Sequence, residues 1–195
     1  MNAIGFDNDK YLKMQSEHIR ERISNFGDKL YLEFGGKLFD DYHASRVLPG
    51  FKPDSKLQML LQLKDEAEIV IVINAADIEK NKVRGDLGIT YDADVIRLFN
   101  VFTKIGLYVS SVVITQYESQ PSADAFGSRL EALGIKVYHH YHINGYPSNL
   151  SLIMSNEGYG KNDYIETSRR LVVITAPGPG SGKMATCLSQ LYHEH

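Results

Sequence analysis

Lys183 is the residue whose neighbours specify its chemistry most narrowly. It closes the stretch Gly178-Pro179-Gly180-Ser181-Gly182-Lys183, within ITAPGPGSGKMAT from Ile174 to Thr186. An apolar run, Leu171 to Ile174, enters this stretch, and a helix-forming segment, Met184 to Tyr192, leaves it. Glycines let a backbone turn tightly and bring several N–H groups toward one point. A helix starting there adds unpaired N–H groups and the positive end of its dipole. Lys183 adds a full charge, and no acid lies in the first turn to compete with an anion. The pattern predicts a phosphate site made of Gly178, Gly180, Ser181, Gly182 and Lys183. The plain alternative is a glycine-rich strand-to-helix turn with no ligand.

The stretch departs from the Walker A motif G-x-x-x-x-G-K-[ST] at two places. Pro177 stands where the first glycine belongs, and Met184 where the hydroxyl belongs. That hydroxyl normally helps to hold Mg²⁺. Thr186 lies two residues on and is expected on another side of the helix. Ser181 is either an oxygen ligand or a helix N-cap. A G-x-S-x-G elbow is absent, and the glycine spacing is wrong for the dinucleotide fingerprint.

Positioning such a turn requires a strand before it and a helix after it, and the chain supplies a repeating strand–helix rhythm. Ile69 to Ile73 is a continuous β-branched run, the mark of a strand buried on both faces of a parallel sheet. Tyr108 to Thr115, Ile135 to Tyr141 and Arg170 to Thr175 read as further strands, with helices opening at Asp92 and Ser122 between them. Ahead of these, Asp7 can cap a helix ending at Gly27. Lys29 to Phe34 alternates as a half-buried strand broken by Gly35-Gly36. Leu38 to Phe51 is irregular with a turn at Pro49-Gly50. A helix opens at Pro53-Asp54-Ser55. Leu150 to Met154 reads as a short strand, and Ser155 to Asp163 as a polar loop. The expected fold is a single α/β domain, with an open, mostly parallel, doubly wound sheet and a P-loop-like glycine turn near the C-terminus.

In such sheets ligands bind outside the carboxyl ends of the strands. That rule adds Asn74, Asp77, Gln116, His140 and His142 to the candidates. Asp77 has the form of an Mg²⁺-holding acid, or simply begins a short turn. Arg84 lies in the charged loop Asn81 to Asp86, where it either reaches a phosphate or faces water. His140 and His142 share one face of a strand, but no third metal ligand is identifiable, so contact with a ligand or a strand-end role is the expectation.

Composition narrows the classes. The chain has 195 residues, 43% hydrophobic content and a net charge of −3, enough for one core and without the basic run of a nucleic-acid binder. No apolar run approaches the roughly 20 residues needed to span a bilayer, and the N-terminus lacks the apolar centre of a signal peptide. Cys187 is the single cysteine, so an internal disulfide is excluded. It is expected as a small buried residue rather than a nucleophile. A cytoplasmic protein is expected, with self-association into a homo-oligomer left open.

Three segments, TAPGPGSGKMATCLSQLYHE, INAADIEKNKVRGDLGITYD and IGFDNDKYLKMQSEHIRERI, together resemble the bacterial DUF1846 family, also called the UPF0371 proteins. The resemblance implies a cytoplasmic bacterial protein of unestablished role, in a family whose members are about twice this length or more. The chain is therefore expected to be an N-terminal part, with an apolar patch beside its last helix. The functional expectation is a nucleotide- or phosphate-binding protein, an NTPase or phosphotransferase in complete form, using ATP or another nucleotide and Mg²⁺. The alternatives are a non-catalytic module for a phosphorylated metabolite and a ligand-free interaction domain.

Overall fold

The computed structural model describes residues 5–26, 29–34 and 42–195. In chain order the elements begin with α1 (Asn8–Phe26), β1 (Leu30–Glu33), α2 (Tyr42–Val47), α3 (Ser55–Gln62) and β2 (Ala67–Asn74). There follow α4 (Ala75–Glu79), β3 (Val83–Arg84), β4 (Ile89–Thr90), α5 (Tyr91–Lys104), β5 (Tyr108–Tyr117) and α6 (Pro121–Ala132). The last are β6 (Lys136–Tyr141), α7 (Leu150–Ile153), a 3₁₀ turn (Tyr159–Lys161), β7 (Leu171–Thr175) and α8 (Lys183–Glu194).

Five strands form one sheet in the order β1-β7-β2-β5-β6, and every neighbouring pair is parallel. The runs Ile69–Ile73, Val112–Ile114 and Leu171–Ile174 are its three adjacent central strands, as the sequence predicts. Successive side chains divide between two cores. Ile69, Ile71, Ile73, Ile114 and Val173 join a core built with α1, α3, α4, α5 and α6. Val70, Val72, Val113, Val172 and Ile174 join a second core with Ile165 and with Cys187 of α8. Burial on both faces is why β2 shows no polar alternation through Ile73. Each fully buried aliphatic side chain contributes about 1.5–3 kcal/mol.

Local rules explain most of the remainder. Asp7 accepts a hydrogen bond from the Lys10 amide at 3.0 Å and so starts α1, while Gly27, Gly35-Gly36 and the start of the segment read as irregular lie outside the described residues. Four elements differ from the sequence reading. Tyr42–Val47 is helical inside that irregular segment. Leu150–Ile153 is a helical turn rather than a strand, because the Asn149 side chain caps it through the Leu152 amide. The polar loop contains a 3₁₀ turn that buries Tyr159. Asp92 does not cap α5 but lies in its first turn, after Thr90.

The hairpin of β3 and β4 was not evident from periodicity, because each strand has only two residues. A buried charge cluster fastens it to α5. Asp94 is fully buried, accepts from Arg84 Nη1 at 2.7 Å and from Arg97 Nε at 2.6 Å, while Arg84 also forks onto Asp86 at 3.1 and 2.8 Å. On the last helix Leu188 and Leu191 are exposed and line, with Leu150 and Met154, an apolar groove of about 920 Å³. Among the described residues no helix is long and apolar enough to cross a membrane.

Removing one partner of a buried ion cluster leaves an uncompensated charge. Asp94→Ala should therefore lower the stability of the protein by about 3 kcal/mol, read as a lower urea midpoint. A midpoint equal to wild type would show that the cluster is not coupled to folding.

Candidate functional site

The C-terminal edge of the sheet carries the candidate site. Strand β7 leads through residues 176–182 into α8 on one face, while β2 leads into α4 on the other. Loops leaving two neighbouring strands toward opposite faces open a crevice between them.

The glycine turn is held from below. The Thr115 hydroxyl, at the end of β5, donates to the Ser181 carbonyl at 2.6 Å. The Ser181 hydroxyl is buried and donates to the Gly178 carbonyl. Ser181 is thus not the N-cap, and its hydroxyl proton is engaged within the turn. Gly182 occupies the N-cap position with φ 89°, and no side chain caps α8. A Cβ at 182 would also stand 3.1–3.2 Å from Thr115 atoms, and one at 178 would collide with the Tyr91 ring. Both positions therefore call for glycine.

A cleft of about 440 Å³ opens over this turn, floored by Thr115 and Gln116 of β5 and walled by residues 140–143 at the end of β6 and 180–186 at α8. Gln116, His140, His142, Gly180, Ser181, Gly182 and Lys183 are brought together here. Gln116 adopts φ 50°, an uncommon conformation for a residue other than glycine and one that gathers at functional sites. Lys183 keeps only 12% of its side chain exposed and faces Glu33 of β1 at 3.6 Å. An acid 150 residues earlier in the chain was not visible beside Lys183 in the sequence. Thr186, expected to face elsewhere, lines the cleft, with its hydroxyl donating to the Gly182 carbonyl at 3.1 Å.

The other candidates are placed differently. Gly178 does not line the cleft but a smaller hollow shared with Arg84, which Lys183 also borders. Asn74 caps α4 through the Ala76 amide at 2.8 Å and donates to the Gly180 carbonyl at 3.3 Å, so it braces the turn. Asp77 does not line the cleft and pairs with Lys82 at 3.1 Å. Arg84 is neither solvated nor turned to the cleft, because Asp86 and Asp94 occupy its guanidinium. Tyr146, Tyr159 and Asn162 line the cleft but carried no signal in the sequence: Tyr159 and Asn162 come from the segment read as a polar loop, and Tyr146 from a stretch with no periodicity. Among the described residues no group of three or more His, Cys, Asp or Glu is arranged to hold a metal ion.

Burial sets the protonation of two groups here. His140 is 3% exposed, and burial lowers its pKa to about 4. Burial pushes the Cys187 thiol up to about 12, which leaves it a poor nucleophile at neutral pH.

The family described as a domain of unknown function, DUF1846, N-terminal, matches residues 4–195. The chain belongs to the DUF1846 family. It is similar to a UPF0371 protein of Streptococcus pyogenes serotype M5 (strain Manfredo), with 60% identity over 194 residues. A UPF0371 protein of Streptococcus sanguinis (strain SK36) shows the same identity over the same length. Both alignments cover all of this DUF1846 chain and 39% of the relative's length.

The depressed His140 pKa makes stability depend on pH. Below its ordinary value of 6.5 the unfolded chain takes up a proton that the folded chain resists until about pH 4. Stability should be full above pH 6.5 and fall between pH 6.5 and 4, by on the order of 3 kcal/mol. Urea midpoints of wild type and His140→Phe across this range provide the check. The variant should lack this part of the pH dependence; parallel curves would place the titration elsewhere.

Proposed function

We propose that the cleft binds a small phosphorylated ligand, with nucleotides among the candidates. Lys183 and the amides of the turn from Gly180 to Lys183 take the phosphate in this reading. The observation that carries it is the setting of Lys183 in the cleft. Its charge is largely withdrawn from water at the positive end of α8, opposed by one carboxylate 3.6 Å away. The helix dipole disfavours a cation so placed, and Glu33 is the anion that offsets it until a phosphate takes its place. Gln116, His142 and the hydroxyl groups of the wall add polar contacts around the same space.

Binding is favoured over phosphoryl transfer by this chain alone. Met184 stands where a metal-holding hydroxyl would be, and Asp77 is engaged by Lys82 outside the cleft. Glu33 is the only acid among the described residues lining the cleft, and it faces Lys183. These residues do not fit an Mg²⁺ site. An NTPase or phosphotransferase activity is proposed only for a longer protein of the length its relatives have. A cytoplasmic location is proposed on the same family footing.

Glu33 competes with the ligand for Lys183 in this account. Calorimetric titration with inorganic phosphate, ADP and ATP, with and without Mg²⁺, tests it. A charge-assisted hydrogen bond contributes roughly 1.5–3 kcal/mol, so Lys183→Ala should weaken binding about ten- to a hundred-fold. Glu33→Gln should tighten it. Unchanged affinity in both variants would remove Lys183 from the site, and no binding by wild type would favour a ligand-free interaction domain.

A further inference from the structure

His140 points beyond phosphate recognition to the rest of the ligand, given that the cleft is the ligand site proposed above. Its Nε2 lies 3.2 Å from the carbonyl oxygen of Asp163. A carbonyl only accepts, so Nε2 carries the proton. A neutral imidazole has a single N–H, which leaves Nδ1 as an acceptor. Burial keeps the ring neutral at pH 7. Asp163 is itself fixed against β6, donating from its amide to the His139 carbonyl at 3.1 Å and accepting the His139 amide at 2.7 Å.

Nδ1 has no hydrogen-bond partner among the described residues, yet it is not among the atoms sealed from solvent without one. His140 lines the cleft, and with Nε2 committed to Asp163 the remaining ring nitrogen is the one left for a ligand there. It is an unused acceptor on a side chain that is otherwise almost wholly buried. A fully ionised phosphate has no hydrogen to offer it and would be repelled by its lone pair. The anion-binding donors, Lys183 and the turn amides, are therefore complemented by an acceptor of opposite demand. The space of about 440 Å³ lies in the size range of sites for organic ligands and exceeds what one phosphate group fills. Tyr141, Tyr146 and Tyr159 supply ring surface along it.

We infer that the cleft takes a phosphate ester whose organic part carries hydroxyl or amino hydrogens, one of which is donated to His140 Nδ1. Sugar phosphates and nucleotides share this chemistry. His140 acts here as a specificity residue: it selects the organic part and leaves the phosphate to Lys183.

The test measures binding of ethyl phosphate, ribose 5-phosphate and AMP to wild type, His140→Phe and His140→Gln. Ethyl phosphate has the phosphate but no hydroxyl on its organic part. A neutral hydrogen bond changes affinity by about three- to ten-fold. His140→Phe should weaken ribose 5-phosphate, AMP or both by that factor and leave ethyl phosphate unchanged. His140→Gln, which retains an acceptor, should preserve the preference for the hydroxyl-bearing ligand. Whichever of ribose 5-phosphate and AMP responds identifies the source of the donor. If wild type binds all three alike and His140→Phe changes none, the inference is overturned while the phosphate reading stands. If wild type binds none, both fail. Should His140→Phe not fold, the wild-type preference over ethyl phosphate and its retention in His140→Gln decide the question.

Discussion

The insertion of β7, the last strand in sequence, between β1 and β2 is the constraint on which the rest of the structure depends. Parallel pairing on both sides holds it, with Leu171 opposite both Leu30 and Ala67. Because β7 is central, the turn that follows it emerges in the middle of the sheet edge instead of at a rim. Glu33 of β1 then lies to one side of Lys183, and the ends of β5 and β6 lie to the other. Four separate parts of the chain converge without any long-range motif linking them.

The turn is rigid for reasons that do not require a ligand. Ser181 is tied to Gly178, Thr115 is tied to Ser181, and Asn74 reaches Gly180. These bonds consume the polar groups beneath the turn and leave Lys183 and the start of α8 facing the cleft. Donors held in place before a ligand arrives lose little conformational freedom on binding, which is the physical content of preorganisation. The same economy explains Arg84. Its place in a charged loop suggested either a phosphate contact or a solvated face, but Asp86 and Asp94 satisfy its fork, and its role is to join the small hairpin to α5.

The sheet was legible in the sequence because burial on both faces leaves a strong local signature in β2, β5 and β7. The glycine turn was legible because φ values of 76° at Gly180 and 89° at Gly182 demand a residue without Cβ. Elements shorter than one period were not legible, since two residues of β3 or four of α7 cannot establish an alternation or a helical repeat. Contacts across the fold were hidden as well. Nothing near Lys183 in sequence announces Glu33, and nothing near Asp77 distinguishes a metal ligand from the partner of Lys82. His140 and His142 were readable as strand-end histidines, but their difference was not. One is buried against Asp163 and the other is exposed, a distinction made by the chain from Tyr159 to Ile165 packing along β6.

The central proposal is that a phosphate ligand binds at the edge over the glycine turn. Amide chemical-shift mapping during titration with inorganic phosphate tests it most directly. The account predicts the largest shifts at Gly180, Gly182, Lys183 and Gln116. Shifts centred instead on the basic hollow of Lys29, Arg169 and Arg170 at the opposite end of the sheet would contradict it.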